Sequence, residues 1–125
     1  MLRKYDKGFR KLIIWQEARR LMLKIYKLSG LLPKEEQFNL ISQLRRAATS
    51  VGANIAEGSA MQTSAHREVY FMRARGSVAE LDCLVELCHD LGFISDTIAA
   101  DAIDHCSRQS YLLTSTLRAM RQRSH

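Results

Sequence analysis

Gln43-Leu44-Arg45-Arg46-Ala47-Ala48-Thr49-Ser50-Val51-Gly52-Ala53-Asn54-Ile55-Ala56-Glu57-Gly58-Ser59 is the stretch on which the fold turns. Wound at about 100° per residue, it gathers Leu40, Ile41, Leu44, Ala47, Ala48, Val51, Gly52, Ile55 and Ala56 in one half of a helix. The opposite line carries Asn39, Gln43, Arg46, Ser50, Asn54 and Glu57 at three- and four-residue spacing, a continuous polar stripe. A merely solvated face is usually rich in Lys and Glu, and these groups are mostly short or uncharged. Such side chains suit contact with another surface.

The same period runs outward from this stretch. On the N-terminal side, Ile14, Trp15, Ala18, Leu21, Met22, Ile25, Tyr26 and Leu28 share a face until Ser29-Gly30 ends the helix. Pro33 followed by Lys34-Glu35-Glu36 then reads as a helix start, because Pro tolerates the first turn and carboxylates offset the positive dipole end. Phe38 is expected to open the apolar half of that second helix, and Gly58-Ser59 to stop it. A third helix capped by Thr63 or Ser64 carries apolar residues around more than half its circumference, so it packs a core and something besides. Gly92-Phe93-Ile94 turns into a fourth, capped by Ser95 or Asp96. The expected architecture is all-α, an antiparallel up-down-up-down four-helix bundle with helices at about 11–29, 34–57, 64–91 and 96–120. A basic segment (1–10) precedes the bundle (11–120) and a basic tail (121–125) follows it.

Composition narrows the function. The 125 residues, 46% hydrophobic with one Pro and six Gly, suit a single helical domain. No apolar run approaches the ~20 residues of a membrane span, and no signal-peptide core follows Met1, so a cytoplasmic protein with no membrane partner is expected. Cys83, Cys88 and Cys106 form no C-x-x-C pair and read as small core residues.

The formal charge of +6 is uneven. Residues 1–27 hold nine Lys or Arg against Asp6 and Glu17, a surplus of +7; residues 28–117 sum to −4; Arg118, Arg121 and Arg123 add +3. Antiparallel topology brings both basic ends and the Glu57–Arg67 turn with His66 to one pole. Lys4, Lys7, Arg10, Lys11, Arg118, Arg121 and Arg123 are therefore the candidate nucleic-acid contacts, supplying charge that attracts phosphate backbones.

Catalytic constellations are poorly represented. A di-iron bundle needs two Glu-x-x-His helices and two more inward Glu, and only Glu86-Leu87-Cys88-His89 fits, with Glu86 outward. Asp101 and Asp104 sit on the polar side of helix 4 with no inward acidic partners for magnesium. Cys106 and His105 diverge by about 100°, and no glycine-rich phosphate loop exists. No enzyme, cofactor or metal is expected. Arg45, at the border of the apolar half, and Glu80 would satisfy one another as a half-buried pair.

Leu12-Ile13-Ile14-Trp15-Gln16-Glu17-Ala18, the Gln43–Gly58 stretch and Ala74-Arg75-Gly76-Ser77-Val78-Ala79-Glu80-Leu81 resemble the bacterial four-helix-bundle proteins encoded in intervening sequences of 23S ribosomal RNA genes. The resemblance covers roughly residues 9–120, with Gly52 standing where that family often has Pro. It implies a left-handed bundle assembling into a ring-like homopentamer, and kinship with accessory proteins of diversity-generating retroelements, which bind nucleic acid and a reverse transcriptase. The family that the chain resembles has no established catalytic activity. Arg45, Arg46, Asn54, Glu57, Arg75 and Glu80 are its motif positions, and with Ser50 and Tyr111 they are the candidate interface residues. The expected function is a non-enzymatic, oligomeric accessory protein that binds RNA or DNA. The alternative is an oligomeric scaffold whose basic end meets an acidic protein partner.

Overall fold

A computed structural model describes residues 8–123. Four helices, α1 (Ile13–Ser29), α2 (Leu40–Ala60), α3 (Ser64–Asp90) and α4 (Asp96–Arg123), follow one another up and down through short turns. Contacts run α1–α2–α3–α4 and back to α1, so each helix touches its two neighbours around the square. One core fills the middle. It is built from Leu21 and Ile25 of α1, Leu44, Val51 and Ile55 of α2, Phe71, Val78, Leu81 and Val85 of α3, and Leu113 and Leu117 of α4. The apolar periodicity selects these faces, and their burial drives the assembly.

Three boundaries differ by three residues or more from those the sequence predicts. Lys34–Glu36 form only a single 3-10 turn, and α2 begins six residues later than expected. Leu32 is buried over the end of the core, Pro33 is extended, and the chain crosses to α2 before coiling again. Phe38, expected on the apolar half, is therefore 92% exposed. Asn39 makes the junction instead: its Nδ2 donates to Glu36 Oε1 (3.2 Å) and its Oδ1 accepts from Gln43 Nε2 (2.7 Å).

At its other end α2 runs through Gly58-Ser59 to Ala60, because Gly58 is a packing notch and not a stop. A Cβ there would lie 2.8 Å from Phe71 Cε1 and 3.0 Å from Tyr70 Cβ. Gly52 is likewise covered by a neighbour, but by the flexible thioether of Met22, not by a backbone. Gly92, at φ +81°, does mark the expected turn into α4. The fourth helix then continues to Arg123, three residues beyond its expected end.

The α1–α4 seam is polar in a way the sequence pattern hides. His105, 2% exposed, and Gln109, fully buried, sit one turn apart on α4 among core positions. Gln109 Nε2 donates to the Ile14 carbonyl (2.8 Å), and His105 Nε2 faces the Glu17 carbonyl (3.2 Å) and its carboxylate (3.1 Å). Two oxygens fix the ring proton on Nε2. The other polar atoms, His105 Nδ1 and Gln109 Oε1, are buried without a protein partner among the described residues.

Burial, helped by Lys24 and opposed by Glu17, holds the His105 imidazole below its ordinary value of 6.5. The unfolded chain then takes up the proton first as pH falls, so this residue destabilises the fold progressively below 6.5. His89 has the opposite sign: its hydrogen bond to Asp96 raises its pKa above 6.5, so its contribution is full below that value and lost as pH climbs through the folded one. His105→Gln should flatten the acid-side loss of stability while His89→Gln leaves it in place. Urea midpoints compared at about pH 5.5 and about pH 7.5 check both.

Candidate nucleic-acid interface

The first described residues, the α2–α3 turn and the last turns of α4 meet at one pole, as antiparallel rods require. They line a common cavity of about 520 Å³, to which Leu12, Arg67, Phe71, Met120 and Arg123 all contribute. Lys4 and Lys7 lie outside the described residues. Arg10 and Lys11 are on a 3-10 turn, Phe9–Lys11, that the aromatic pair Phe9–Trp15 fastens to α1 at a centroid distance of 5.0 Å. The Arg10 guanidinium lies over the Phe9 ring at 4.4 Å, and Gln16 Nε2 donates to the Arg10 carbonyl (3.1 Å). A basic head is thus held against the bundle by an aromatic clasp.

Arg118, Arg121 and Arg123 are exposed on the final turns of α4, where cations also complement the negative end of the helix dipole. Arg121 Nε approaches Glu68 Oε1 at 3.6 Å, a partly exposed pair that screens one of these charges. Arg67 joins the group from the turn, its Nε donating to the Met61 carbonyl (2.8 Å). Thr63 caps α3 by accepting from the His66 backbone N–H (3.3 Å). Among described residues the pole carries Arg10, Lys11, Arg67, Arg118, Arg121 and Arg123 against Glu57 and Glu68, six cations less two anions, or +4. The sequence places Arg67 at this pole, at the end of the second turn, but it is not among the candidate nucleic-acid contacts named from the sequence; its charge beside that turn is the signal for it.

The candidate interface residues divide into internal and external groups. Arg45 Nε donates to the buried Ser29 hydroxyl (2.8 Å) and its guanidinium covers Tyr26 at 5.1 Å, while Glu80 is exposed, so the expected Arg45–Glu80 pair is not formed. Ser29 offers a neutral acceptor at the α1 end, within reach of the long side chain. Ser50 bonds the Ser77 hydroxyl across α2–α3 (2.8 Å), and Asn54 Nδ2 donates back to Ser50, so that part of the polar stripe closes on its own bundle. Arg75 reaches Thr114 on α4 (3.3 Å). Arg46, Glu57, Glu80 and Tyr111 face outward, Tyr111 being 70% exposed.

A second outward feature lies on α3. Val69, Met72, Gly76, Ala79, Cys83 and Leu87 recur at three and four residues and are all exposed, a small and apolar line along a 27-residue helix. No atom lies within 4 Å of where a Gly76 Cβ would stand. Nothing within the described chain requires glycine there.

Among the described residues no three His, Cys, Asp or Glu gather around a common point, and no helix is long and apolar enough to cross a membrane. Burial pushes the Cys106 thiol up to about 12, far from a reactive thiolate. The fold and its pole define a class: a small four-helix bundle with a cationic end.

The model of the 23S rRNA-intervening sequence proteins matches residues 10–115, and the chain belongs to that family. A solved structure is similar at a TM-score of 0.79 and 22% identity, over 84% of this chain and 98% of the other. That chain is a protein with unknown function from the S23 ribosomal protein family of Bacteroides thetaiotaomicron, and the likeness shows a shared fold. No curated protein matches the sequence. Neither description names a reaction.

Proposed function

We propose that the chain is a non-catalytic, RNA-associated accessory protein that self-associates and presents its cationic pole to phosphates. The observation that carries this reading is the convergence of Lys11, Arg67, Arg118, Arg121 and Arg123 at one end, with Glu57 and Glu68 as the carboxylates there among the described residues. The name of the family supports the choice of RNA. Several copies side by side would multiply the phosphate contacts without any change within a copy. Affinity for RNA should fall steeply between low and high salt, since each phosphate neutralised by Lys or Arg releases counterions. Titrating labelled RNA at several salt concentrations tests this, and a flat response sinks it.

Self-association uses the exposed line of α3 in this reading, with Gly76 letting a second helix approach closely. Gly76→Leu fits the isolated chain, because the space is open and Leu is the better helix former by about 0.8–1 kcal/mol. It should leave the dilute protein as stable or more so, yet reduce its mass in sedimentation to that of the monomer. The same exposed apolar line favours a second reading, a scaffold for a protein partner that never touches nucleic acid. Salt-insensitive or absent RNA binding, together with capture of an acidic protein, selects that alternative.

A further inference from the structure

We propose that the cavity at the cationic pole takes one unstacked nucleotide of a single-stranded RNA, base inward and phosphate outward; this deepens the RNA reading above and rests on it. The cavity, about 520 Å³, falls in the range of small-molecule sites and exceeds what a bare phosphate fills. Its lining divides by chemistry. Leu12, Phe71 and Met120 supply apolar surface, Ser59, Ser64 and Thr116 supply hydroxyls, and Arg67 and Arg123 supply the charge. No carboxylate lines it among the described residues, so the site favours an anion.

A ligand that satisfies all three parts has a flat apolar body with a hydrogen-bonding edge and a phosphate attached. A nucleobase buried on the apolar side would offer its N–H edge to the Ser59 and Thr116 oxygens, which accept because their protons go to the Ala56 and Leu112 carbonyls, while the Ser64 hydroxyl can donate or accept. Its 5′ or 3′ phosphate would lie between the two guanidiniums, whose planar forks suit phosphate oxygens. Arg67 is already steadied by its bond to the Met61 carbonyl, so little further ordering is needed to receive the phosphate. A paired base cannot enter, because its edge and faces are occupied. Preference for single strands over duplex follows, which uniform charge at the pole would not give.

The test uses the full chain and two substitutions at Ser64, an exposed residue in the first turn of α3. Ser64→Trp fills the cavity mouth. Ser64→Asp places a carboxylate beside the phosphate position, and folding favours it because acidic groups suit a helix N-terminus. Labelled single-stranded RNA and a blunt RNA duplex are titrated at one salt concentration, and AMP, adenosine and inorganic phosphate are followed by amide NMR shifts. Both variants should weaken single-strand binding by about 10-fold, the scale of one base's contribution, and duplex binding much less. AMP should shift the amides of Ser59, Ser64, Arg67 and Thr116 more than adenosine or phosphate does, and Ser64→Trp should abolish those shifts.

Equal losses for single strand and duplex, or none in a folded Ser64→Trp variant, overturn the pocket while leaving the charged pole standing. Shifts from phosphate as large as those from AMP also overturn it, reducing the site to an anion contact. If neither RNA binds, the RNA reading fails by itself. The AMP response of wild type against Ser64→Trp then decides the pocket.

Discussion

Phe71→Ala should cost the bundle about 3–5 kcal/mol, the usual range for emptying a large aromatic from a core, and lower the melting temperature by roughly 10–20 °C. The ring is buried, and it packs against the bare Cα of Gly58 on α2. The notch therefore makes a reciprocal demand. Gly58→Ala gains about 1 kcal/mol of helix propensity but brings a methyl within 2.9 Å of the Phe71 ring, and overpacking of this kind costs about 1–3 kcal/mol. The net change should be a loss, and the double variant should recover part of it, because the smaller side chain opposite makes room for the new methyl. Thermal melts of the two single variants and the double form a cycle, and a positive interaction between the positions is the expected outcome. Strict additivity would show that the ring and the glycine are not coupled.

Replacing Arg118, Arg121 and Arg123 together by Gln should weaken RNA binding at low salt by at least about 10-fold and reduce the slope of log affinity against log salt by about 2–3. Stability should fall by no more than about 1–2 kcal/mol. The Arg121–Glu68 pair is partly exposed, and pairs of that kind contribute about 0–1 kcal/mol. Loss of three cations from the C-terminal turns of α4 removes a few tenths of a kcal/mol of dipole compensation each, about 1 kcal/mol in sum. Lys34→Gln, at the opposite pole, is the control that should leave both slope and affinity unchanged. A triple variant with wild-type slope would mean that the phosphates are held elsewhere on the molecule.

Much of the architecture was legible because apolar spacing is a direct readout of buried faces. Leu21, Ile25, Leu44, Val51 and Ile55 fall where a 3.6-residue period puts them, and the turn at Gly92 shows its conformational need in the sequence. The excess of apolar residues on α3 was also visible, and Val69, Met72 and Leu87 do stand exposed. The errors arose where local chemistry has two meanings. Pro33 with Glu35 and Glu36 is a sound helix start, but it starts a single turn, and the bridge over Leu32 postpones α2 to Leu40. Gly58-Ser59 looks like a terminus because the partner that makes glycine useful there, Phe71, is thirteen residues away and on another helix.

Polar groups inside the core were the least readable. His105 and Gln109 occupy positions that an apolar pattern assigns to Leu or Ala, and their partners are α1 carbonyls whose proximity only the assembled bundle creates. Arg45 posed the reverse problem. Its charge suggested a carboxylate, whereas the neutral hydroxyl of Ser29 and the face of Tyr26 meet it more closely. For the candidate site, the convergence of chain ends followed from topology alone, and the cavity between them did not, since it depends on side chains from every helix end at once.

The contact between α1 and α4 is the thinnest of the four, and inside it one amide and one imidazole, those of Gln109 and His105, meet main-chain oxygens of α1, His105 meeting the Glu17 carboxylate as well. With the Lys24–Asp101 ion pair (2.9 Å) as a further, more exposed link, such a seam behaves like a zip fastener with few teeth: the first and last helices can part while α2, α3 and their shared interior stay whole. Because the aromatic clasp travels with α1, parting would carry the basic head away from the arginines of α4. Isotope uptake into the α1 amides should therefore run ahead of that into α3, and anything that bridges head and tail should slow it.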